Sequence, residues 1–402
     1  MRGRGRIAFV VQRYGTEVCG GSELLCRLLV EQLSGDYDVE VLSTCALDHV
    51  TWRNHYPSGL CRVNGVAVRR FPIDRQRSQQ GWAALCERVL RGPHSVDDEE
   101  DWMKEQGPCS AALVDFVARR HSDYDVFVFV TYLYATTYLC LPRVREKAVL
   151  IPTAHDERFI YLKIFDRVFS WPRQVLTLTP EETRFIQRRF GLPPQKVHLI
   201  GSGVEDGAAQ QSDPDWASFA ARLPEDALTL VYVGRIEEAK GCKALVDDCR
   251  RYRKELPEHN LQLILIGKGH WTPPEEEFIH TAGFVSKAFK DLAMQRADIV
   301  VVPSAYESLS FVALEAWSLG RPVLVNGRSS VLKGHCRRSN GGLWYSDYWE
   351  FREALAWMAG HPAECQQLGN NGQVYVRRNY EWSVVKSRFT TVIDPLVQRR
   401  PE

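Results

Sequence analysis

The sequence predicts an α/β protein made of two doubly wound, Rossmann-like domains, and three observations carry that expectation. Short runs rich in Val and Ile recur along the chain, segments of helical length and amphipathic pattern separate them, and the whole alternation runs through twice. Buried parallel strands joined by crossover helices read in this way. The first pass offers strands at 7–11 (IAFVV), 39–44, 66–71, 125–130, 148–153, 175–179 and 197–201. The second offers 228–235 (LTLVYVGR), 261–267, 281–285, 298–304 (DIVVVPS), 321–326 and 341–345. Between the passes, 201–214 (GSGVEDGAAQQSDP) is rich in Gly and polar residues and reads as the join. The domains expected are therefore 1–203 and 204–381. The stretch from Pro72 to about Gly107, with the acidic run 97–101 (DDEED), reads as an insertion or loop with a solvated acidic face.

Composition bounds the function. At about 150 residues per domain, 402 residues hold two or three domains. Lys plus Arg number 51 and Asp plus Glu 50, so a general polyanion binder is disfavoured and any anionic ligand must be met by a local site. No nucleic-acid partner is expected. The eleven cysteines contain no C-x-x-C pair and are odd in number, which suggests buried thiols in a reduced, cytoplasmic setting. Cys19 and Cys26, like Cys242 and Cys249, are spaced to share one helix face. The apolar run at Ile7–Val11 is too short for a signal peptide, and Val126–Leu141 too short for a membrane span.

Ligands of open α/β sheets bind beyond the carboxyl ends of strands. After VYV, Gly234-Arg235 and Lys240-Gly241 bring two cations and two glycines to a strand-to-helix turn, which suits a phosphate as well as it suits a solvated loop. After VVVPS, Glu307 sits past a strand end, and Ser308 or Ser310 is placed to cap the next helix. Glu315 follows eight residues later, roughly 80° around a helix at about 100° per residue, so both acids can border one cleft. Its neighbours are apolar, so a carboxylate held among them needs donors, from a vicinal diol such as a ribose or from a basic side chain, unless it points to solvent.

With these residues in view, the chain resembles the family-4 retaining glycosyltransferases of GT-B architecture. The E-x7-E pair Glu307/Glu315 lies behind VVVPS and before L-G-R-P-V (319–323). Upstream stand Gly20-Gly21-Ser22, the Gly234-Arg235 and Lys240-Gly241 turn, I-G-K-G (266–269) and T-A-G-F-V (281–285). The resemblance implies two domains facing across a cleft, an acceptor-side first domain, and a second domain that binds a nucleotide-sugar donor. It implies that the last helix, about 382–402, packs back on the first domain.

The resemblance also implies roles. Arg235 and Lys240 would hold the donor diphosphate with Gly234, and Glu315 the ribose hydroxyls. Glu307 would lie beside the donor sugar, backed by Ser308, Leu309 and Ser310. Gly283, Phe284 and Val285 would meet the base. Gly20 and Gly21 would approach phosphate or acceptor, and His155, after AVLIPT, would contact the sugar. Asp156 fits either the site or a helix N-cap. Ser310 stands where the family usually has glycine, and Leu309 where an aromatic is common, which bears on donor fit.

The implied reaction moves a sugar, hexosyl in type, from a nucleoside diphosphate to a hydroxyl of a glycan, a lipid-linked sugar or a small molecule, with retention. A lipid-linked acceptor would call for peripheral membrane contact. No cofactor and no metal are expected: Asp36/Asp38 and Asp123/Asp125 precede strands, and Asp213/Asp215 lies in the join, so all three D-x-D pairs read as turn chemistry. Two alternatives stand beside it: a sugar-nucleotide epimerase, which shares the architecture, and, from a different class, a non-catalytic sugar-nucleotide or glycan-binding protein. A dinucleotide dehydrogenase is disfavoured because no G-x-G-x-x-G follows a strand.

Overall fold

A computed structural model describes residues 5–18, 20–205 and 212–397. Cys19 and the 206–211 part of the join lie outside the described residues. The chain divides into two compact units, Met1–Gly203 with Trp382–Glu402, and Val204–Glu381.

The first unit holds strands β1 (Arg6–Val10), β2 (Asp38–Thr44), β3 (Gly59–Val63), β4 (Val66–Phe71), β5 (Val126–Val130), β6 (Ala148–Ile151), β7 (Gln174–Thr177) and β8 (Val197–Leu199). They form one sheet in the order β3-β4-β2-β1-β5-β6-β7-β8, parallel throughout except for the β3–β4 hairpin. Every side chain of β5 and β6 is buried, as expected where helices cover both faces of a parallel sheet. The sheet order reverses between β1 and β5, so that is the unit's switch point. The helix Trp382–Ile393 lies on this unit, where Phe389 stacks on Phe9 with ring centroids 6.3 Å apart and Lys386 pairs with Asp36 at 2.7 Å.

The second unit adds β9 (Thr229–Val233), β10 (Gln262–Ile266), β11 (Ile279–Gly283), β12 (Ile299–Val302), β13 (Val323–Asn326) and β14 (Gly342–Tyr345). The order β11-β10-β9-β12-β13-β14 is wholly parallel and is the Rossmann order, with its reversal between β9 and β12. The two-domain α/β expectation therefore holds, and all thirteen expected strands are present with shifts of a few residues at their ends.

Two expectations need correction. The hairpin strand β3 was not foreseen because its side chains are half to fully exposed. Its signal was the Asn64-Gly65 pair, whose φ angles of 47° and 83° make a tight hairpin turn. The stretch from Pro72 to Gly107 is not a loop: it contains helices Gln79–Arg91 and Val96–Gln106, anchored by Val89, Trp102 and Met103 in the core. Nor is the acidic run simply solvated. Asp98 closes a capping box with Ser95, and Glu99 is buried, accepting from the backbone of Ile164 at 2.9 Å and pairing with His94 at 3.0 Å.

Among the described residues no helix is long and apolar enough to cross a membrane. Among the described residues ten cysteines carry free thiols, including Cys242 and Cys249 on the buried face of helix Cys242–Glu255. Of the D-x-D acids, Asp123 and Asp213 act locally, pairing with Arg120 and capping helix Pro214–Ala220, whereas Asp125 accepts from the backbone of Arg6 and Asp36 pairs with Lys386, both distant in sequence, so turn chemistry does not describe those two.

Candidate functional site

In the second unit the candidate side chains gather on the two loops flanking the switch point, one after β9 and one after β12. The β9 loop is seated by backbone on backbone. Gly234 donates to Ile266 and Ile236 to Lys268, and a Cβ on Gly267 would lie 1.8 Å from the Gly234 carbonyl oxygen. The glycines of I-G-K-G thus serve loop-to-loop packing. Gly241, at φ 80°, turns the chain into helix Cys242–Glu255, and a Cβ there would meet the Pro303 carbonyl at 2.5 Å.

That contact brings the β9 loop against the β12 loop, and the charges follow. Lys240 Nζ lies 2.9 Å from Glu307 Oε1, with both side chains partly buried. A half-desolvated pair of this kind is fixed in place more firmly than an exposed one. Arg235 is more exposed and pairs with Glu237 at 3.0 Å. Beneath them Tyr232, buried on β9, donates to the Arg235 carbonyl at 2.7 Å. Burial chiefly, with Cys242 and the charge of Glu307 adding to it, raises its hydroxyl far above the usual range.

The β12 loop ends at Ser310, the N-cap of helix Phe311–Ser318, in a left-handed conformation (φ 71°, ψ 86°). Its side chain makes no capping hydrogen bond, so the expectation that a serine hydroxyl caps this helix is not met at Ser310. A left-handed Ser points its side chain out of the capping geometry. Leu309 is buried, and Ser308 is half-buried just before it.

Glu315 lies on that helix between buried Leu314 and Ala316 and takes a basic partner: Lys290 Nζ is 2.6 Å from Oε1. Sequence reading named a basic side chain as one way to satisfy Glu315 but did not find which. Lys290 sits on helix Lys287–Arg296, behind β11, so only the fold brings it near. At the end of β11, Gly283 (φ 73°) has open space around it, Phe284 is 62% exposed and Val285 half-buried.

In the first unit the loop after β1 reaches Gly20, N-cap of helix Gly21–Leu33. A Cβ on Gly20 would lie 2.2 Å from the Glu23 carboxylate, which is buried against Arg13 Nε at 2.9 Å. Gly20 thus makes room for a buried ion pair, while Gly21 faces open space. His155 follows β6 and is about a quarter exposed, with Nδ1 3.7 Å from Glu157 Oε1. Glu157 is held in turn by the buried Tyr132 hydroxyl at 2.8 Å. Asp156 is no helix cap: it accepts from the Tyr161 hydroxyl at 2.7 Å.

The backbone of the His155 loop is tied from beneath by Glu182, which sequence reading missed. Glu182 Oε1 accepts from the Ala154 N–H at 2.5 Å and Oε2 from the Leu178 N–H at 2.6 Å. Burial pushes its carboxyl up to about 8 against the pull of those two donors. Thr153, beside Ala154, carries φ 50°. Among the described residues no three His, Cys, Asp or Glu side chains are grouped to hold a metal ion.

Residues 227–359, the stretch that carries Arg235, Lys240, Glu307 and Glu315, match the family described as Glycosyl transferases group 1. Over 414 aligned residues the chain is 25% identical to an uncharacterized glycosyltransferase of Methanocaldococcus jannaschii, covering 96% of this chain and 97% of that one. It is 23% identical to the MMP alpha-(1->4)-mannosyltransferase of Mycolicibacterium hassiacum, with 98% and 99% covered. The crystal structure of Anabaena HepE in complex with UDP-glucose matches with a TM-score of 0.70 at 12% identity, over 97% of this chain and 99% of that one. The fold is accordingly GT-B, and over nearly its whole length the chain is similar in sequence to glycosyltransferases.

Proposed function

We propose that the protein is a retaining glycosyltransferase of family 4, moving a hexosyl-type sugar from a nucleoside-diphosphate donor to a hydroxyl acceptor without a metal ion. One observation carries this reading: the Lys240–Glu307 pair joins the two loops at the Rossmann switch point, beside a helix N-terminus whose N–H groups no serine side chain caps at Ser310. An anion arriving there meets a cation already oriented by an acid, together with the positive end of a helix.

In this reading the second unit binds the donor. Lys240 and Arg235 neutralise the diphosphate as the glycosidic bond to it breaks, standing where a metal ion would otherwise act. Glu307 gives up its lysine to the phosphate and turns to the sugar hydroxyls, while Glu315, with one oxygen on Lys290, offers the other to the ribose. Gly283, Phe284 and Val285 border the base, and Ser308, Leu309 and Ser310 form the backbone against phosphate and sugar. The first unit takes the acceptor, with His155 near the transferred sugar and Gly20 and Gly21 at the approach. The departing phosphate oxygen accepts the acceptor's proton on the face from which it leaves, which retains configuration.

The similarity of 227–359 to Glycosyl transferases group 1 supports this reading. So do the names of the full-length relatives and the UDP-glucose bound by HepE. The test is nucleotide release from a panel of UDP, GDP, ADP and TDP sugars, with and without acceptors. Release only with acceptor present is expected. Arg235→Ala with Lys240→Ala should lower kcat/KM by at least about a thousandfold while the thermal melt stays within a few degrees. Consumption of a donor with no acceptor would point to an epimerase, and binding without turnover to a binding protein.

A further inference from the structure

Behind the β12 loop lies a buried imidazole that none of the proposed chemistry uses. His335, on helix Ser330–Ser339, is fully enclosed. Its Nε2 is 3.0 Å from the Leu309 carbonyl oxygen and its Nδ1 is 2.9 Å from the Tyr375 hydroxyl. A carbonyl only accepts, so Nε2 carries the proton and Nδ1 accepts from Tyr375. That hydroxyl accepts in turn from Arg338 Nε at 3.2 Å. Donation therefore runs one way, from Arg338 through Tyr375 and His335 to Leu309. The imidazole also packs edge-on against Trp317 of helix Phe311–Ser318, with ring centroids 6.0 Å apart.

The carbonyl so held belongs to the residue before Ser310, whose left-handed backbone a side chain disfavours. It lies two residues after Glu307. We propose that His335 is a positioning residue: by donating to the Leu309 carbonyl it clamps the strained turn and so sets where Glu307 and the helix N-terminus meet the donor. The inference rests on the donor-binding role proposed above for this loop. Two features suit the imidazole to the task. It presents one donor and one acceptor on opposite edges, matching a carbonyl on one side and a hydroxyl on the other. Burial also keeps it neutral, drawing it down to about 3, so this polarity is stable across the working pH range.

The experiment compares His335→Leu, which removes both bonds, with His335→Gln, whose amide offers a donor and an acceptor. Amide hydrogen exchange over 305–310 should rise in the leucine variant and return towards the parent in the glutamine variant. With the nucleotide-sugar panel, His335→Leu should raise the donor KM about tenfold and leave the acceptor KM unchanged, a split that general loss of stability does not produce. If His335→Leu does not fold, Tyr375→Phe carries the same test with a smaller shift. Unchanged exchange over 305–310 would overturn the clamp, and raised exchange with an unchanged donor KM would overturn its role in positioning. A parent protein that releases no nucleotide from any donor would sink the donor reading instead, and the exchange measurement would still decide the clamp.

Discussion

The loop after β6 in the first unit and the loop after β12 in the second face the same problem and solve it with opposite chemistry. Each follows a buried parallel strand, carries a candidate site residue (His155 and Glu307), and contains a non-glycine residue at positive φ, Thr153 at 50° and Ser310 at 71°. In the first loop the inward backbone group is an N–H, that of Ala154, and a buried carboxyl group, that of Glu182, accepts it. In the second it is a carbonyl, that of Leu309, and a buried imidazole, His335, donates to it. The backbone group that the turn leaves inside decides which ionisable side chain is buried beneath it, because an orphaned buried N–H or carbonyl costs about as much as a lost hydrogen bond.

The largest effect that separates the two clamps comes from deleting them. Glu182→Leu strands two backbone N–H groups from two loops, those of Ala154 and Leu178, at about 1–3 kcal/mol each. His335→Leu strands one carbonyl and leaves Tyr375 with Arg338 still bound. Chemical denaturation should therefore place Glu182→Leu well below His335→Leu in stability. Equal losses would break the parallel, since they would mean that Leu178 gains nothing from the Glu182 carboxyl group.

Next in size is the response to pH, where the two clamps have opposite signs. The folded Glu182 carboxyl is raised from the usual 4.5 to about 8, so across that window the folded state holds a proton that the unfolded state has released. Stability from this group is lost as pH rises from about 4.5 to about 8. His335 is lowered from 6.5 to about 3, so there the unfolded state takes up the proton first and stability is lost as pH falls from about 6.5 to about 3. Glu182→Gln, which has no charge to bury, should gain on the parent steadily as melts move from acid to alkaline buffer. His335→Gln should gain towards acid. Parallel curves for parent and variant in either case would remove the ionisable character of that clamp from the account.

How much of this was legible in the chain follows the same physics. Strands β1 and β9 announce themselves because a strand buried on both faces needs unbroken Val, Ile and Leu, and that requirement is local. The Glu307–Glu315 spacing and the lysine turn were readable for the same reason, being fixed by short stretches. Glu182 and His335 were not readable. A glutamate at the third position of a helix, after Thr179 and Pro180, reads as capping chemistry, and a histidine in LKGHCRRS reads as surface. What makes them clamps is the strand end each meets, 28 residues away for Glu182 and 26 for His335. The pairing of Lys290 with Glu315 was hidden likewise. The helices of 79–106 escaped because their surfaces are polar, and their few buried apolar residues, Val89, Trp102 and Met103, give too sparse a stripe to set a period.

The smallest expected effect tests the strain itself. A left-handed residue with a Cβ costs about 1–2 kcal/mol, and glycine removes that cost while giving back about 0.4–1 kcal/mol to the more flexible unfolded chain. Ser310→Gly and Thr153→Gly should each be mildly stabilising, by less than about 1 kcal/mol, with the larger gain at Thr153 because a β-branched side chain is the poorer fit at positive φ. Denaturant midpoints measure both. The variants differ, however, in what they do to the clamps. If His335 holds Ser310 in its turn, relieving the turn makes the clamp less necessary, so Ser310→Gly should recover part of the exchange protection and donor KM lost in His335→Leu. If the two substitutions act additively, the strained turn is maintained by something other than the imidazole, and the likeness drawn between the two loops reduces to their shared backbone angles.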